Sequence, residues 1–305
     1  MKDRALLVRT SRTFYLTIRV LPREVRDDVA LAYLLARATD TIADTSAAPV
    51  GERASLLRLL RFSFGDAAGP DYDADRWASC QGFPAEADLL RALPGLQSRL
   101  PAIDPAVRVL LGRVMDSILE GQIFDLERFG PAASPLGDDE LERYTYCVAG
   151  SVGEFWDDLC RLKLSRFATA AERLMRTRAR HYGQALQLVN ILRDRRMDAT
   201  MGRVYLREED VPRWTEQARA WLREGADYCT ALRSGRLRYA TLLPALLGWR
   251  TLALAAAQPP SVLTPAKVHR SEVRQWMWRA LPVWWSASAA PLLARRAATE
   301  ELPRP

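Results

Sequence analysis

Two short acidic pairs hold the residues best suited to chemistry in this chain. Asp40 and Asp44 enclose Thr41-Ile42-Ala43, and Asp194 and Asp198 enclose Arg195-Arg196-Met197. Residues four apart on an α-helix lie about 40° apart in projection, so each pair turns its carboxylates to one side. Two such charges repel each other and call for a counter-charge. Mg²⁺ is a natural one, because it keeps most of its waters and takes one or two carboxylates together with phosphate oxygens. Two pairs facing each other would make a cage for a diphosphate.

Each pair has companions at helical spacing. Tyr33, Arg37, Asp40 and Asp44 form one stripe. An arginine beside metal-binding carboxylates suits a diphosphate ligand, since guanidinium grips phosphate oxygens in a fork. The plainer alternative is a solvated ion pair on a helix face. Gln187, Asn190, Asp194 and Asp198 form a second stripe amid Leu186, Leu188, Val189, Ile191 and Leu192. Polar groups set in so apolar a run are expected to be partly buried and to need partners. Metal, water or phosphate would supply them, and so would a polar network between helices. Gly202-Arg203-Val204-Tyr205 follows, a basic and aromatic turn suited to closing over a phosphate, or a plain loop.

Two further segments carry weaker signals. Tyr144 to Gly153 contains Ala149, Gly150, Ser151 and Gly153. Such small residues thin or break a helix and admit close approach of another helix or an apolar ligand. Ser11-Arg12-Thr13-Phe14 places polar groups before an apolar stretch and reads as a helix cap.

The elements that must position these residues are helical. Apolar residues recur at helical spacing over 23–43, with Pro22 at the start, and over 51–62, 86–100 and 104–128. Asp104-Pro105 opens the last of these as cap and first-turn residue. Residues 64–86 and 130–137 read as loops. Long helices are expected over 138–163 and 168–198, the second ending at Ala199–Arg203. Further helices are expected over 214–234 and 236–256, with Pro244 a kink or boundary. Pro259-Pro260 starts a linker, and 265–300 forms a helical tail. No run of alternating β-branched residues and no fixed-period repeat occurs. The pattern predicts an all-α, single-domain bundle over residues 1–305.

Composition excludes several classes. The chain has 305 residues, 49% hydrophobic and 27% charged, the profile of a folded protein with a full core. Its formal net charge of +7 permits anionic ligands or anionic membrane surfaces. No dense Lys/Arg run with interleaved aromatics and no zinc-finger spacing occurs, so no nucleic-acid partner is expected. The four cysteines form no CxxC, and two histidines leave no room for a His-rich metal site. No signal-peptide apolar core and no stretch of about 18 uncharged apolar residues occurs, so no transmembrane helix is expected. Trp276, Trp278, Trp284 and Trp285 crowd the tail beside Arg274 and Arg279. They suit an interfacial helix, or equally a terminal helix docking tryptophan into the core. The expectation is a cytoplasmic protein that can visit the inner membrane surface.

The combination is more specific than any part. Ser11-Arg12-Thr13-Phe14, Arg37 to Asp44, Tyr144 to Gly153, and Gln187-x-x-Asn190-Ile191-Leu192-Arg193-Asp194 through Asp198, Gly202, Arg203 and Tyr205 occur in this order. Together they closely resemble the squalene/phytoene synthase family, the head-to-head prenyl transferases. The resemblance runs from about residue 8 to about 275. It implies an isoprenoid-synthase helical bundle with a central cavity. It implies Mg²⁺ held by Asp40, Asp44, Asp194 and Asp198. It further implies that Arg37, Arg193 and Arg203, with Ser11, Thr13, Phe14, Gln187 and Asn190, contact the substrate or order the metal shell. Tyr144 matches a tyrosine of the first half-reaction, and Tyr33 and Tyr205 would line or close the site.

Departures from the family pattern occur. Ala43 and Met197 stand where relatives often carry an extra acidic residue, leaving two carboxylates per site. Cys147 stands where many relatives have Arg or Tyr. The segments around Tyr33–Asp44 and Val148–Trp156 look most like squalene-forming bacterial members. That implies condensation of two farnesyl diphosphates through presqualene diphosphate, then reduction by NADPH. Lys267 and Arg270 are the candidate contacts for the dinucleotide phosphate. The alternatives are a phytoene or dehydrosqualene synthase, which needs no reductant, and a non-catalytic helical scaffold.

Overall fold

Helical patterning becomes helix along nearly all of the described chain. The computed structural model describes residues 3–64, 71–129, 134–259 and 261–299, apart from the side chains of Arg12, Thr13 and Phe62. Among these residues the only β-structure is an isolated bridge between Ala168 and Leu232. The chain forms two compact units. One comprises Met1–Arg128 with Asp158–Lys163, and the other Phe129–Asp157 with Leu164–Pro305.

The first unit contains α1 (Arg4–Thr10), α2 (Arg12–Val20), α3 (Arg23–Ala43), α4 (Val50–Ser63), α5 (Ala74–Ser79), α6 (Pro84–Gln97) and α7 (Pro105–Arg128). α3 is central to it. Pro22 holds its N-cap position with φ −52°, and Glu24 in the first turn complements the helix dipole. Val25, Leu31, Leu34, Leu35, Ala38 and Ile42 are buried along one broad stripe, against α6 and α7. α7 begins where Asp104 Oδ1 accepts from the Ala106 N–H at 2.9 Å, as the Asp-Pro pair predicts.

The stretch expected as a loop, 64–86, is partly helical. Asp73 caps α5 by accepting from the Arg76 N–H at 2.9 Å, and Trp77 is buried. Six residues are too few to show a helical period, so the cap and the buried tryptophan were the only local signals. α6 also starts earlier than predicted, with Pro84 in its first turn. Parts of both expected loops, 65–70 and 130–133, lie outside the described residues.

The second unit contains α8 (Asp138–Thr145), a π-helical turn (Tyr146–Gly150), and the start of α9 (Ser151–Lys163). It continues with α10 (Glu172–Thr200), α11 (Val211–Ala231), α12 (Gly235–Ala257), α13 (Arg270–Arg279) and α14 (Ala289–Thr299), with short 3-10 turns at Glu208–Asp210 and Leu281–Trp284. The small residues of 149–153 do not break the helix; it passes through them as the π-turn. They serve helix packing. A Cβ on Gly153 would fall 2.0 Å from the Ala179 carbonyl oxygen, and one on Gly183 would fall 2.1 Å from that of Ala149.

Of the two alternatives at Pro244, a kink or a boundary, the boundary is excluded: α12 runs unbroken from Gly235 to Ala257. Packing outweighs the lost hydrogen bond, since fifteen residues of this helix are buried. α12 is also long and apolar enough, by length and composition, to cross a membrane, although none was expected to be. Of its most apolar window, 67% is buried within the protein, the position of a core helix.

Candidate active site

In the first unit, α3 lines up the predicted residues and the helices before it cover them. The Phe14 and Tyr33 rings stack with centroids 5.5 Å apart. Ser11 is not a cap by its side chain. It is buried between α1 and α2, and its hydroxyl hydrogen-bonds the Tyr33 phenol. Burial raises the Tyr33 pKa, against the lowering pull of Ser11 and Arg37. One turn on, Arg37 Nη1 donates to Asp40 Oδ2 at 2.5 Å and Nη2 donates to Glu86 Oε1 at 3.0 Å. Thr13 lies among the side chains outside the description.

Asp40 and Asp44 end α3, Asp44 as the C-cap residue with φ −85°. This is the negative end of the helix dipole, where basic residues are favoured, yet the last turn holds none. The Asp40 carboxyl is pushed up to about 6, first by desolvation and then by the Asp44 charge, with Arg37 opposing. Its side chain nonetheless retains 45% of its accessible surface, so an ion can still reach it.

In the second unit, Asp194 and Asp198 occupy the last two turns of α10, again at a helix C-terminus without a basic residue in the final turn. Arg193 forks its own neighbour, Nε to Asp194 Oδ1 at 2.7 Å and Nη2 to Oδ2 at 2.5 Å. The Asp198 carbonyl accepts from the Met201 and Arg203 N–H groups, both at 2.9 Å. Gly202 between them has φ 77°, a left-handed conformation that favours glycine. This turn folds Arg203 back to the end of α10 and sends Tyr205 inward. Tyr205 stacks on Tyr144 with centroids 5.4 Å apart and meets the Phe129 ring edge-on at 4.9 Å.

The polar stripe on α10 is partly buried as expected. Gln187, Asp194 and Asp198 are half-buried, but Asn190 is exposed. The stripe also extends one turn further back. Gln184 is buried and its Nε2 donates to the Glu142 carbonyl and the Thr145 hydroxyl, both at 3.3 Å, holding α10 to α8. Cys147 is buried in the π-turn. Lys267 and Arg270 are exposed, Lys267 before α13 and Arg270 at its first residue.

Sequence reasoning missed Glu86 and Phe129. Glu86 lies 49 positions from Arg37 and has no local mark beyond its place in the first turn of α6. Phe129 follows the last residue of α7 with no motif around it. Among the described residues no three His, Cys, Asp or Glu side chains cluster as a metal site, so each acidic pair stands as two carboxylates, as Ala43 and Met197 require.

The squalene/phytoene synthase family model matches residues 7–215. The chain is 34% identical over 210 residues to the bifunctional lycopene cyclase/phytoene synthase of Colletotrichum graminicola, covering 66% of this chain and 33% of that protein. It is 26% identical over 217 residues to squalene synthase LSS of Botryococcus braunii, covering 71% of this chain and 42% of that protein. The chain therefore spans about a third of the length of the first curated relatives it matches. The complex structure of TcSQS with the ligand E5700 superposes with a TM-score of 0.78 at 20% identity, covering 96% of this chain and 88% of that one. That likeness shows an isoprenoid-synthase fold. With the family model spanning residues 7–215, which include both acidic pairs and the aromatic residues of this site, the chain belongs to the squalene/phytoene synthase family.

Proposed function

We propose that this protein catalyses Mg²⁺-dependent head-to-head condensation of two identical prenyl diphosphates. The observation that carries the reading is the placement of the acidic pairs. Each stands at the carbonyl end of its helix with no basic residue in the final turn. Such a position concentrates negative potential, which a hard divalent cation relieves. The donor set fits Mg²⁺. Burial first, and then the Asp44 charge, lift the Asp40 pKa to about 6, and a cation shared by the two carboxylates relieves both. Asp194 and Asp198 repeat the i,i+4 spacing.

Asp40, Asp44, Asp194 and Asp198 would hold the metal. Bound there, Mg²⁺ supplies Lewis-acid neutralisation of the leaving diphosphate. The protein's own groups do the rest. Arg37 offers phosphate a guanidinium already oriented by Glu86, and Arg203 is set by the Gly202 turn. The Phe14–Tyr33 and Tyr144–Tyr205 pairs supply aromatic faces that stabilise an allylic cation and help exclude water.

Farnesyl diphosphate as substrate and squalene as product, with NADPH as reductant, form the first reading. The likeness of the Tyr33–Asp44 and Val148–Trp156 segments to squalene-forming members supports it. The second is condensation of geranylgeranyl diphosphate to phytoene without reductant. It is favoured by the 34% identity to a protein whose name includes phytoene synthase. Purified protein with Mg²⁺ and each diphosphate, with and without NADPH, tests both by mass spectrometry of the organic extract. Squalene appearing only with NADPH supports the first. Phytoene from geranylgeranyl diphosphate supports the second, and dehydrosqualene or presqualene diphosphate regardless of NADPH marks a non-reducing enzyme. Silence with both substrates would favour a non-catalytic scaffold.

A further inference from the structure

The tail beyond α12 lies outside the residues matched by the family model, 7–215, and apart from Lys267 and Arg270, the candidate dinucleotide contacts, the proposed reaction assigns its surface no part. Its inner side is firmly held. Trp276, Ala280 and Val283 are fully buried. Arg250 on α12 pairs with Glu272 on α13, and the Tyr239 hydroxyl donates to the Met277 carbonyl at 3.1 Å. Arg238, itself buried, donates to the carbonyls of Leu232 and Val283 at 2.7 Å, Arg233 at 3.0 Å and Trp284 at 3.2 Å. Gly235 is packed against the same turn: a Cβ there would fall 1.9 Å from the Trp284 carbonyl oxygen.

The outer side is unlike a solvated helix face. Trp278 is 74% exposed and Trp285 is 78% exposed, on a segment too well held to fold them in. Arg270, Arg274 and Trp278 follow one another at i,i+4 and all are exposed, so one stripe of α13 ends in an outward indole. On α14 the exposed Leu292 shares a face with the exposed Arg295 and Arg296. From residue 265 onward the sequence holds Lys267, Arg270, Arg274, Arg279, Arg295, Arg296 and Arg304 against Glu272, Glu300 and Glu301, and Glu272 is paired with Arg250. Arg279 lies over the Trp276 ring at 5.3 Å with its side chain still exposed.

We propose that α13, the Leu281–Trp284 turn and α14 form a docking surface for an anionic lipid bilayer, with Trp278 and Trp285 entering the headgroup layer and the arginines meeting lipid phosphates. Indole rings favour that layer because one end is apolar and the other can hydrogen-bond. Basic side chains beside them gain from the negative surface potential. An acidic protein partner would satisfy the arginines but leaves two outward indoles seven residues apart without a matching reason. The tail lies against the helices of its own unit and presents one face, so it would rest on the surface rather than span it.

Vesicle co-sedimentation tests this with the whole protein, using phosphatidylcholine vesicles with and without phosphatidylserine. The protein should pellet with the anionic vesicles and be released by salt. Arg274→Gln with Arg279→Gln should weaken binding about thirtyfold, from about 1 kcal/mol per cation. Trp278→Ala with Trp285→Ala should weaken it at least as much, with circular dichroism unchanged because both rings are already exposed. Failure of the unaltered protein to pellet, or equal pelleting of either double variant, overturns the proposal. So does a sedimentation-velocity dimer that the tryptophan variant dissolves, since a second copy would then be the occupant.

Discussion

Arg37 donates to Glu86 at 3.0 Å across a sequence gap of 49 residues, while its other terminal nitrogen holds Asp40. Glu86 therefore fixes the guanidinium from one side and Asp40 from the other. A diphosphate arriving at Asp40 meets an arginine that has already lost much of its rotamer freedom. Glu86→Ala should lower kcat/KM about tenfold, the scale of one charge-assisted hydrogen bond at a half-exposed site. Glu86→Gln, which keeps an acceptor, should recover part of the loss. Steady-state kinetics of both variants at saturating Mg²⁺ measure it, and equal activity of Glu86→Ala and the parent would remove Glu86 from the site.

Asp40 should trade stability for function. Its folded-state carboxyl titrates at about 6 against an ordinary 3.8, so the folded protein binds that proton more tightly than the unfolded chain does. Stability then falls as pH rises from about 4 through 6, and the cost is complete above that. With its side chain 45% exposed, solvent screening discounts the cost to about 1 kcal/mol. Asp40→Asn should abolish turnover yet raise the thermal midpoint by about 2–4 °C at pH 7.5 without Mg²⁺. The gain should vanish near pH 4. Calorimetry at the two pH values reads it, and a lower midpoint at neutral pH would contradict the assignment.

The same proton competes with metal. Mg²⁺ needs the ionised carboxylate, so binding to the first unit's pair should weaken about tenfold per pH unit below about 6 and level off above it. Isothermal titration of the Asp194→Asn variant, in which the second pair is disabled, isolates this site. An affinity flat from pH 5 to 8 would falsify it.

The close approach of α9 and α10 predicts a purely structural defect. Gly153→Ala places a methyl group 2.0 Å from the Ala179 carbonyl oxygen, and backbone, not a flexible side chain, must give way. Overpacking of this kind costs about 1–3 kcal/mol. The thermal midpoint should fall by about 2–4 °C per kcal/mol, whereas Gly95→Ala, inside α6 with nothing within 4 Å, should leave it unchanged or raise it, since a helical Gly→Ala with room gains about 0.5–1 kcal/mol. Thermal denaturation of the two variants side by side decides the matter.

Local sequence determined the helices and the acidic pairs. The i,i+4 spacing of Asp40 with Asp44 and of Asp194 with Asp198 needs only helical periodicity to be seen, and so does the stripe through Gln187. The turn at Gly202 was legible for a similar reason, because a break after a long apolar period has few alternatives. Tertiary packing decided the rest. Ser11 looked like a cap but serves Tyr33, since α2 folds onto α3 and buries the hydroxyl beside the phenol. Pro244 allowed a kink or a boundary, and burial of α12 carried the helix through it without a boundary. Glu86 is one of many acidic residues until α6 lies against α3. Trp276 and Trp278 are two residues apart, and only the docking of α13 onto α12 buries the first and leaves the second outside. Periodicity reports which residues share a face, but which face meets another element depends on contacts between distant parts of the chain.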